Sequence, residues 1–409
     1  MPAVDTKTIL KNFSSTIPMT LFGPDRVNYL LENIEKMASE ERIMLRNLFN
    51  KFLTSMIERD SSDIEIGGHG NDGYIWLRIY GKKERVKDLP RFSEDESAII
   101  IVNLLNSNQR SILSQTRNLD FSYTFLYDRK NVNVRFRADA YFDLDSLALN
   151  MRAINNSIRS LSSYGFHPNV LKTLSHSYIK FGLTLITGIT GSGKSTTLDA
   201  IIDEHNRIDP CHIVIIASPI EFVHNSNTAI IKHREVGRDV LNFKEGVIQS
   251  LRQDPDIIVI GEIRDPETIL AALEVTDTGH KVFSTMHTSS AVESIDRIVA
   301  EVNPAEQDRV RNRLADVLVA IVSQKLVPSL DGKRVLAKEV LVVTPNVKAA
   351  IKNNNTSAIY MMINQGSQYG MNTMEQDLKK LYLNKKISLE NAIAYANNKT
   401  VITQILAAL

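Results

Sequence analysis

The sequence predicts an α/β protein: a domain built on a largely parallel sheet, preceded by a smaller α+β domain. Three observations carry this expectation. Short apolar runs at Leu183–Ile186, Ile213–Ile216, Ile257–Ile260 and Lys281–Thr285 alternate with helical segments, the pattern of a parallel sheet covered on both faces. Upstream of about residue 165, strand-like alternation of apolar and polar residues dominates instead. Between the two lies the polar, Ser/Asn-rich stretch INNSIRSLSSY, residues 154–164, which reads as an interdomain linker.

Composition sets the outer limits. A chain of 409 residues, 43% hydrophobic and 23% charged, has ordinary globular composition and room for two or three domains. Forty-eight Lys+Arg against 47 Asp+Glu leave a net charge of +1, which excludes a chain-wide basic surface for nucleic acid. Cys211 is the only cysteine, so an intramolecular disulfide and a Cys-based zinc site are excluded. The N-terminus MPAVDTKTIL carries Asp5 and no long apolar core, so no signal peptide is expected. No run approaches 18 apolar residues, so no transmembrane helix is expected, and a link to a membrane would pass through a partner or a surface contact.

The elements come in order. Residues 1–23 read as loosely structured. From Pro24 to about Glu58, Val27, Leu30, Leu31, Ile34 and Met37, then Leu45, Leu48, Phe49, Phe52 and Met56, recur at helical spacing, predicting two helices packed on the next domain. Residues 1–54 are thus an N-terminal helical extension. Alternation begins near Asp63. In Tyr74–Tyr80, Ile75, Leu77 and Ile79 share one face. A helix is expected at Ser93–Leu105, with Ser93 as its cap and Glu96 three residues on. Asp120–Tyr127 and Asn131–Tyr141 read as strands. In the second, Val134, Phe136 and Ala138 point one way, Arg135, Arg137 and Asp139 the other. These elements make an α+β domain over residues 55–153. The sheet domain with its C-terminal helices takes 165–409.

Within it, Gly188-Ile189-Thr190-Gly191-Ser192-Gly193-Lys194-Ser195 fits the pattern G-x-x-x-x-G-K-[ST] of a phosphate-binding loop. The strand run Leu183–Thr187 precedes it, and the helix expected at Ser195–Glu204, with Thr196 in its first turn, comes directly after it. This is the order the pattern requires. Glycines let backbone N–H groups converge on phosphate oxygens, and the helix N-terminus adds its positive end. Lys194 would reach the β- and γ-phosphates of ATP, and the Ser195 hydroxyl would ligate Mg²⁺. Asp256–Glu262 is an apolar strand ending in a carboxylate. Glu262, beside the loop, could hold Mg²⁺ through water or polarise an attacking water.

Read with their neighbours, these residues resemble the secretion-type hexameric ATPases, most closely the type IV pilus retraction motors, over about residues 60–395. Ile189–Leu198 is similar to the family's phosphate loop. Ser218-Pro219-Ile220-Glu221-Phe222-Val223-His224 resembles its acidic box, Ile260-Gly261-Glu262-Ile263-Arg264-Asp265 its atypical Walker B, and Thr278-Gly279-His280 through Thr285-Met286-His287-Thr288 its histidine box. The resemblance implies a RecA-like ATPase domain and a PAS-like N-terminal domain. It further implies a six-subunit ring working with an inner-membrane platform protein of a pilus or secretion system. It places the chain in the cytoplasm, peripheral to that membrane, with no direct nucleic-acid contact. It also assigns Arg135, Arg137 and Arg152 to nucleotide, and His280 and His287 to sensing the γ-phosphate or coupling it to a subunit interface, with Glu221 or Glu262 left to take over the activation of water that another glutamate performs in the family.

Two departures bear on function. The family usually has Glu-Asp where this chain has Ala217-Ser218, and the missing glutamate is the one credited with activating water. Loss of a base commonly lowers a rate by about 10²–10⁴-fold. Thr344–Ile351 keeps only the apolar spacing and one basic residue of the retraction motors' Ala-Ile-Arg-Asn-Leu-Ile segment. The leading expectation is an ATP-hydrolysing motor. A nucleotide-binding ring member with weak or no hydrolysis is the alternative that Ala217 raises. A nucleic-acid motor is the third, unsupported by the neutral charge and 7% aromatic content.

Overall fold

The computed structural model describes residues 5–79, 82–127, 132–154 and 158–407. Its contacts divide into two units. The first takes the described residues before 155, with Ser218–Phe222 and Gly237–Asp239; the second takes the rest.

The first unit opens with helices α1 (Thr6–Ser14), α2 (Gly23–Asn33) and α3 (Ser39–Glu58). Its strands are β1 (Ser61–Gly67), β2 (Trp76–Ile79), β3 (Lys82–Arg85), β4 (Asn118–Tyr127), β5 (Val132–Asp143) and β6 (Ser146–Ala153), with α4 (Glu94–Leu104) and α5 (Ser107–Thr116) between β3 and β4. They form one antiparallel sheet in the order β3-β2-β1-β6-β5-β4. Helices α1–α3 share a single apolar core with this sheet: Leu10, Leu30, Phe49 and Phe52 pack in one cluster with Ile64, Phe136 and Met151. The expectation of loose structure over residues 1–23 is corrected by α1, which buries Ile9 and Leu10. Nine residues hold too few turns for the apolar period to stand out. The α4 cap is the expected reciprocal pair, Glu96 N–H to Ser93 Oγ at 3.2 Å and Ser93 N–H to Glu96 Oε2 at 2.8 Å. Tyr80 and Asn131, expected at strand ends, lie outside the described residues, as do residues 155–157 of the expected linker. Of that stretch, Leu161–Tyr164 forms a 3₁₀ turn with Leu161 buried.

The second unit holds β7 (Gly182–Thr187), β8 (His212–Ala217), β9 (Ile230–Glu235), β10 (Ile257–Ile260), β11 (Lys281–Met286), β12 (Leu318–Pro328) and β13 (Arg334–Val342). The order is β13-β12-β7-β11-β10-β8-β9, and every pair is parallel except β12–β13. The helices are α6 (Pro168–Leu174), α7 (Lys194–Ile208), α8 (Phe243–Ser250), α9 (Pro266–Asp277), α10 (Ala291–Ala300) and α11 (Gln307–Val317). After β13 come α12 (Pro345–Lys352), α13 (Thr356–Gln365), α14 (Met374–Leu383), α15 (Leu389–Ala394) and α16 (Lys399–Ala407). The fold class is α/β, as the apolar runs predict. All residues of β7, β10 and β11 are buried, as strands covered on both faces must be. Parallel pairing brings the carboxyl ends of β7, β8, β10 and β11 to one edge, where ligands of such sheets bind. Among the described residues, no helix is long and apolar enough to cross a membrane.

Candidate functional site

Of the loops that leave that edge, three build the candidate site: 188–193 after β7, 261–265 after β10 and 287–290 after β11. In the first, Gly188 has φ +148°, and a Cβ there would fall 2.3 Å from Ser192 Oγ and 2.6 Å from Gln324 O, so only glycine fits. Gly191 and Gly193 also take positive φ, +79° and +90°. Ser192 N–H donates to Ile189 O at 3.2 Å, closing the turn. Lys194, the first residue of α7, is buried and returns to the loop, its Nζ donating to Gly188 O at 2.8 Å and Ile189 O at 3.2 Å. Thr190, Ser195 and Thr196 are exposed. The loop is braced from below by Thr187 Oγ1 and Ser323 Oγ at 2.8 Å, and by Thr197 paired with Gln324 at 2.9 Å.

These residues fit a phosphate chain. The loop coils before a helix N-terminus, a lysine sits at its mouth, and the buried Ser192 Oγ has no hydrogen-bond partner among the described residues. Ser195, exposed on the first helical turn, carries a hydroxyl that could ligate a phosphate-bound divalent cation.

Glu262 comes after β10. The sequence by itself sets it beside the loop; the structure puts β11 between β10 and β7, so the two strands are about 10 Å apart. His287 fills the intervening position. Its Nε2 lies 3.6 Å from Glu262 Oε2, and Arg264 Nη2 pairs with Glu262 Oε1 at 2.5 Å. Burial holds the His287 imidazole below its ordinary pKa. The Lys194 charge acts in the same direction, while Glu262 opposes it. Lys194, Glu262, Arg264 and His287 are thus within electrostatic reach of one another. Backbone and hydroxyl bonds fix the arrangement: Gly188 N–H donates to Met286 O at 3.3 Å, and Thr285 Oγ1 to Gly261 O at 2.7 Å.

His280 is not brought to this group. It precedes β11, so a six-residue strand, about 20 Å long, separates it from His287. Its Nδ1 instead meets Thr278 Oγ1 at 3.0 Å and Val275 O at 3.1 Å. Of the two roles expected for it, contact with nucleotide on its own chain is removed by this placement.

Glu221, Arg135, Arg137 and Arg152 belong to the first unit. Arg135 Nη2 donates to Ile220 O at 2.7 Å. Arg137 lies 3.5 Å from Asp120 and 3.8 Å from Glu221, and Arg152 is held by Asp63 at 2.8 Å. Arg135 and Arg137 share a strand face as expected, yet these protein groups engage all three arginines. Ala217 ends β8. It packs so closely on the turn after β10 that a Cβ on Gly261 would lie 2.8 Å from its methyl. The sequence motifs do not single out Arg264, Ser323 or Gln324 as site residues. Arg264 sits in the motif beside Glu262, whereas β12 carries no local signal of its contact with the loop.

A sequence profile described as Type II/IV secretion system protein matches residues 38–405. The chain is 38% identical over 323 residues to a twitching motility protein of Neisseria gonorrhoeae, covering 79% of this chain and 84% of that protein. It is 38% identical over 317 residues to a type IV pilus retraction ATPase of Pseudomonas aeruginosa, covering 77% and 89%. The fold superposes on a pilus retraction motor crystallised with ADP with a TM-score of 0.75 at 34% identity, over 87% of this chain and 98% of that one.

Proposed function

Because the chain belongs to the type II/IV secretion system protein family, we propose that it is an ATP-driven motor of a type IV pilus retraction or related secretion machine. The observation that carries this reading is the meeting of Lys194, Glu262 and His287 at the carboxyl edge of one parallel sheet. On this reading the second unit is a RecA-like ATPase domain, supported by the insertion of β11 between the loop strand and the Walker B strand. The first unit is a PAS-like domain with residues 1–54 as its helical extension. The working form is a hexameric ring in the cytoplasm, acting on an inner-membrane platform protein. Family membership supports both statements.

Gly188–Thr196 would hold the phosphates of ATP, and the Lys194 ammonium would exchange its carbonyl partners for the β- and γ-oxygens. Ser195 would hold Mg²⁺ directly and Glu262 through water, and the ion would supply charge neutralisation at the phosphates. Glu262 and Arg264 fix the edge of the site, and His287, held neutral, can accept or donate one hydrogen bond toward the γ-phosphate. Positioning and charge neutralisation supply most of the catalysis, since phosphoryl transfer to water asks little covalent chemistry of the protein.

Ala217 favours a second reading, a nucleotide-binding ring subunit that hydrolyses slowly. One assay separates the two: steady-state ATP turnover by the purified chain, with Lys194→Ala as control and Ala217→Glu beside it. Turnover that Lys194→Ala abolishes supports the motor. Binding without turnover, rescued by Ala217→Glu, supports the second reading. Failure to bind nucleotide sinks both.

A further inference from the structure

Glu339 lies on β13 and is buried, at 2% exposure. Its Oε1 accepts the backbone N–H of Ala291 at 2.8 Å. Ala291 opens α10, four residues after His287. Helix α10 already has its own cap, the Ser290 hydroxyl accepting from Glu293 N–H at 3.2 Å. The Glu339 bond therefore does more than finish a helix end: it fixes where that end stands against the sheet. The loop between His287 and Ala291 is otherwise held largely by α10 itself. Arg297 Nη1 donates to His287 O at 3.1 Å, and Glu293 Oε2 accepts from Ser289 N–H at 2.7 Å. From far along the chain, Asn397 Nδ2 donates to Ser289 O at 3.4 Å.

The sheet register closes a circuit through these groups. Glu339 pairs with Ser323, Ser323 with Thr187, and Thr187 with Met286, one residue before His287. The chain then runs through His287 to Ala291 and back to Glu339. The circuit encloses Thr187, the residue before the phosphate loop. Lys325 ties in the C-terminal segment, its Nζ donating to Asn397 Oδ1 at 2.6 Å and Tyr395 O at 2.8 Å. Glu375 accepts from Asn398 N–H at 2.8 Å. A carboxyl group buried near Glu375 is expensive to keep, and an apolar residue would fill the space at lower cost. Its specific acceptor geometry is what an apolar residue would not reproduce.

We propose that Glu339 is a positioning residue for His287, and that Asn397 makes the C-terminal segment part of the same clamp. The inference rests on the ATPase reading of the site for its functional meaning, but its geometry can be tested without turnover. Hydrogen–deuterium exchange is measured on the full chain over peptides covering 287–291, with 183–187 as reference. Glu339→Ala should speed exchange at 287–291 by about tenfold, the equivalent of one buried hydrogen bond. Glu339→Gln, which keeps an acceptor oxygen, should restore most of the protection. Asn397→Ala, a change at an exposed residue, should give a smaller rise, about threefold, and covers the case in which Glu339→Ala does not fold. In turnover assays Glu339→Ala should lower kcat while leaving ADP affinity unchanged. Unaltered exchange in Asn397→Ala and Glu339→Ala, or equal loss in Glu339→Gln and Glu339→Ala, overturns the proposal. Absence of turnover in the unsubstituted chain overturns the motor reading instead and leaves the exchange result decisive for the clamp.

Discussion

His287 Nε2 stands 3.6 Å from Glu262 Oε2 although β10 and β11 carry the two residues on separate loops. The pair joins the loop after β10 to the loop after β11, within electrostatic reach of Lys194. Glu262, with 14% of its side chain exposed, is also held by Arg264. Its carboxylate is therefore held in place by the protein's own side chains.

Glu262→Gln should separate binding from chemistry. The amide keeps the shape but loses the charge that holds the cation and orients water. Turnover should fall by about 10²–10⁴-fold while ADP binding stays within about threefold. Parallel kcat and equilibrium-binding measurements check this, and an equal loss in both would assign Glu262 to binding alone.

Gly261→Ala should destabilise the second unit. The added methyl would lie 2.8 Å from Ala217 Cβ and 3.0 Å from its Cα, and backbone atoms yield little. Overpacking of this kind costs about 1–3 kcal/mol. Thermal unfolding reads it directly; an unchanged midpoint would mean that β8 and the turn after β10 are free to part.

Glu339 should make stability depend on pH. Burial is the main cause that pushes its carboxyl up to about 7, with the neighbouring Glu375 adding to it. The Ala291 and Met374 amides and Lys325 oppose the rise. The folded value lies above the ordinary 4.5, so the unfolded chain releases this proton first. The stabilisation is full below about pH 4.5, is lost as pH rises to about 7, and is flat above. The gap corresponds to about 3 kcal/mol. Denaturant unfolding at pH 5 and pH 8 should show the unsubstituted chain losing stability relative to Glu339→Gln; parallel behaviour of the two would contradict the buried, protonated carboxyl.

Lys281→Met should loosen the segment before β7. The buried Lys281 Nζ donates to the carbonyls of Thr173 and Ile179 at 3.1 and 3.0 Å, and burial lowers its pKa to about 8. Methionine fills the volume but leaves these carbonyls without their donor, at about 1–3 kcal/mol each. Limited proteolysis should cut faster within 174–181. Resistance equal to that of the unsubstituted chain would show that Lys281 is not what holds this segment.

The phosphate loop was legible in the sequence because everything it needs is contiguous: a buried strand, the loop's glycines Gly188, Gly191 and Gly193, and a lysine opening a helix lie within Gly182–Ile208. The parallel strands and the Ser93–Glu96 cap were legible for the same reason, since apolar period and cap spacing are local properties. Tertiary structure decided the rest. It sent His280 and His287, one motif in the sequence, to opposite ends of a single strand. It set β11 between the loop strand and Glu262, and it brought Glu339 and Asn397 to the loop after His287. Strand order and cross-chain hydrogen bonds depend on which elements pack side by side. Local periodicity fixes which face of a strand is buried, but it does not say which strand becomes its neighbour.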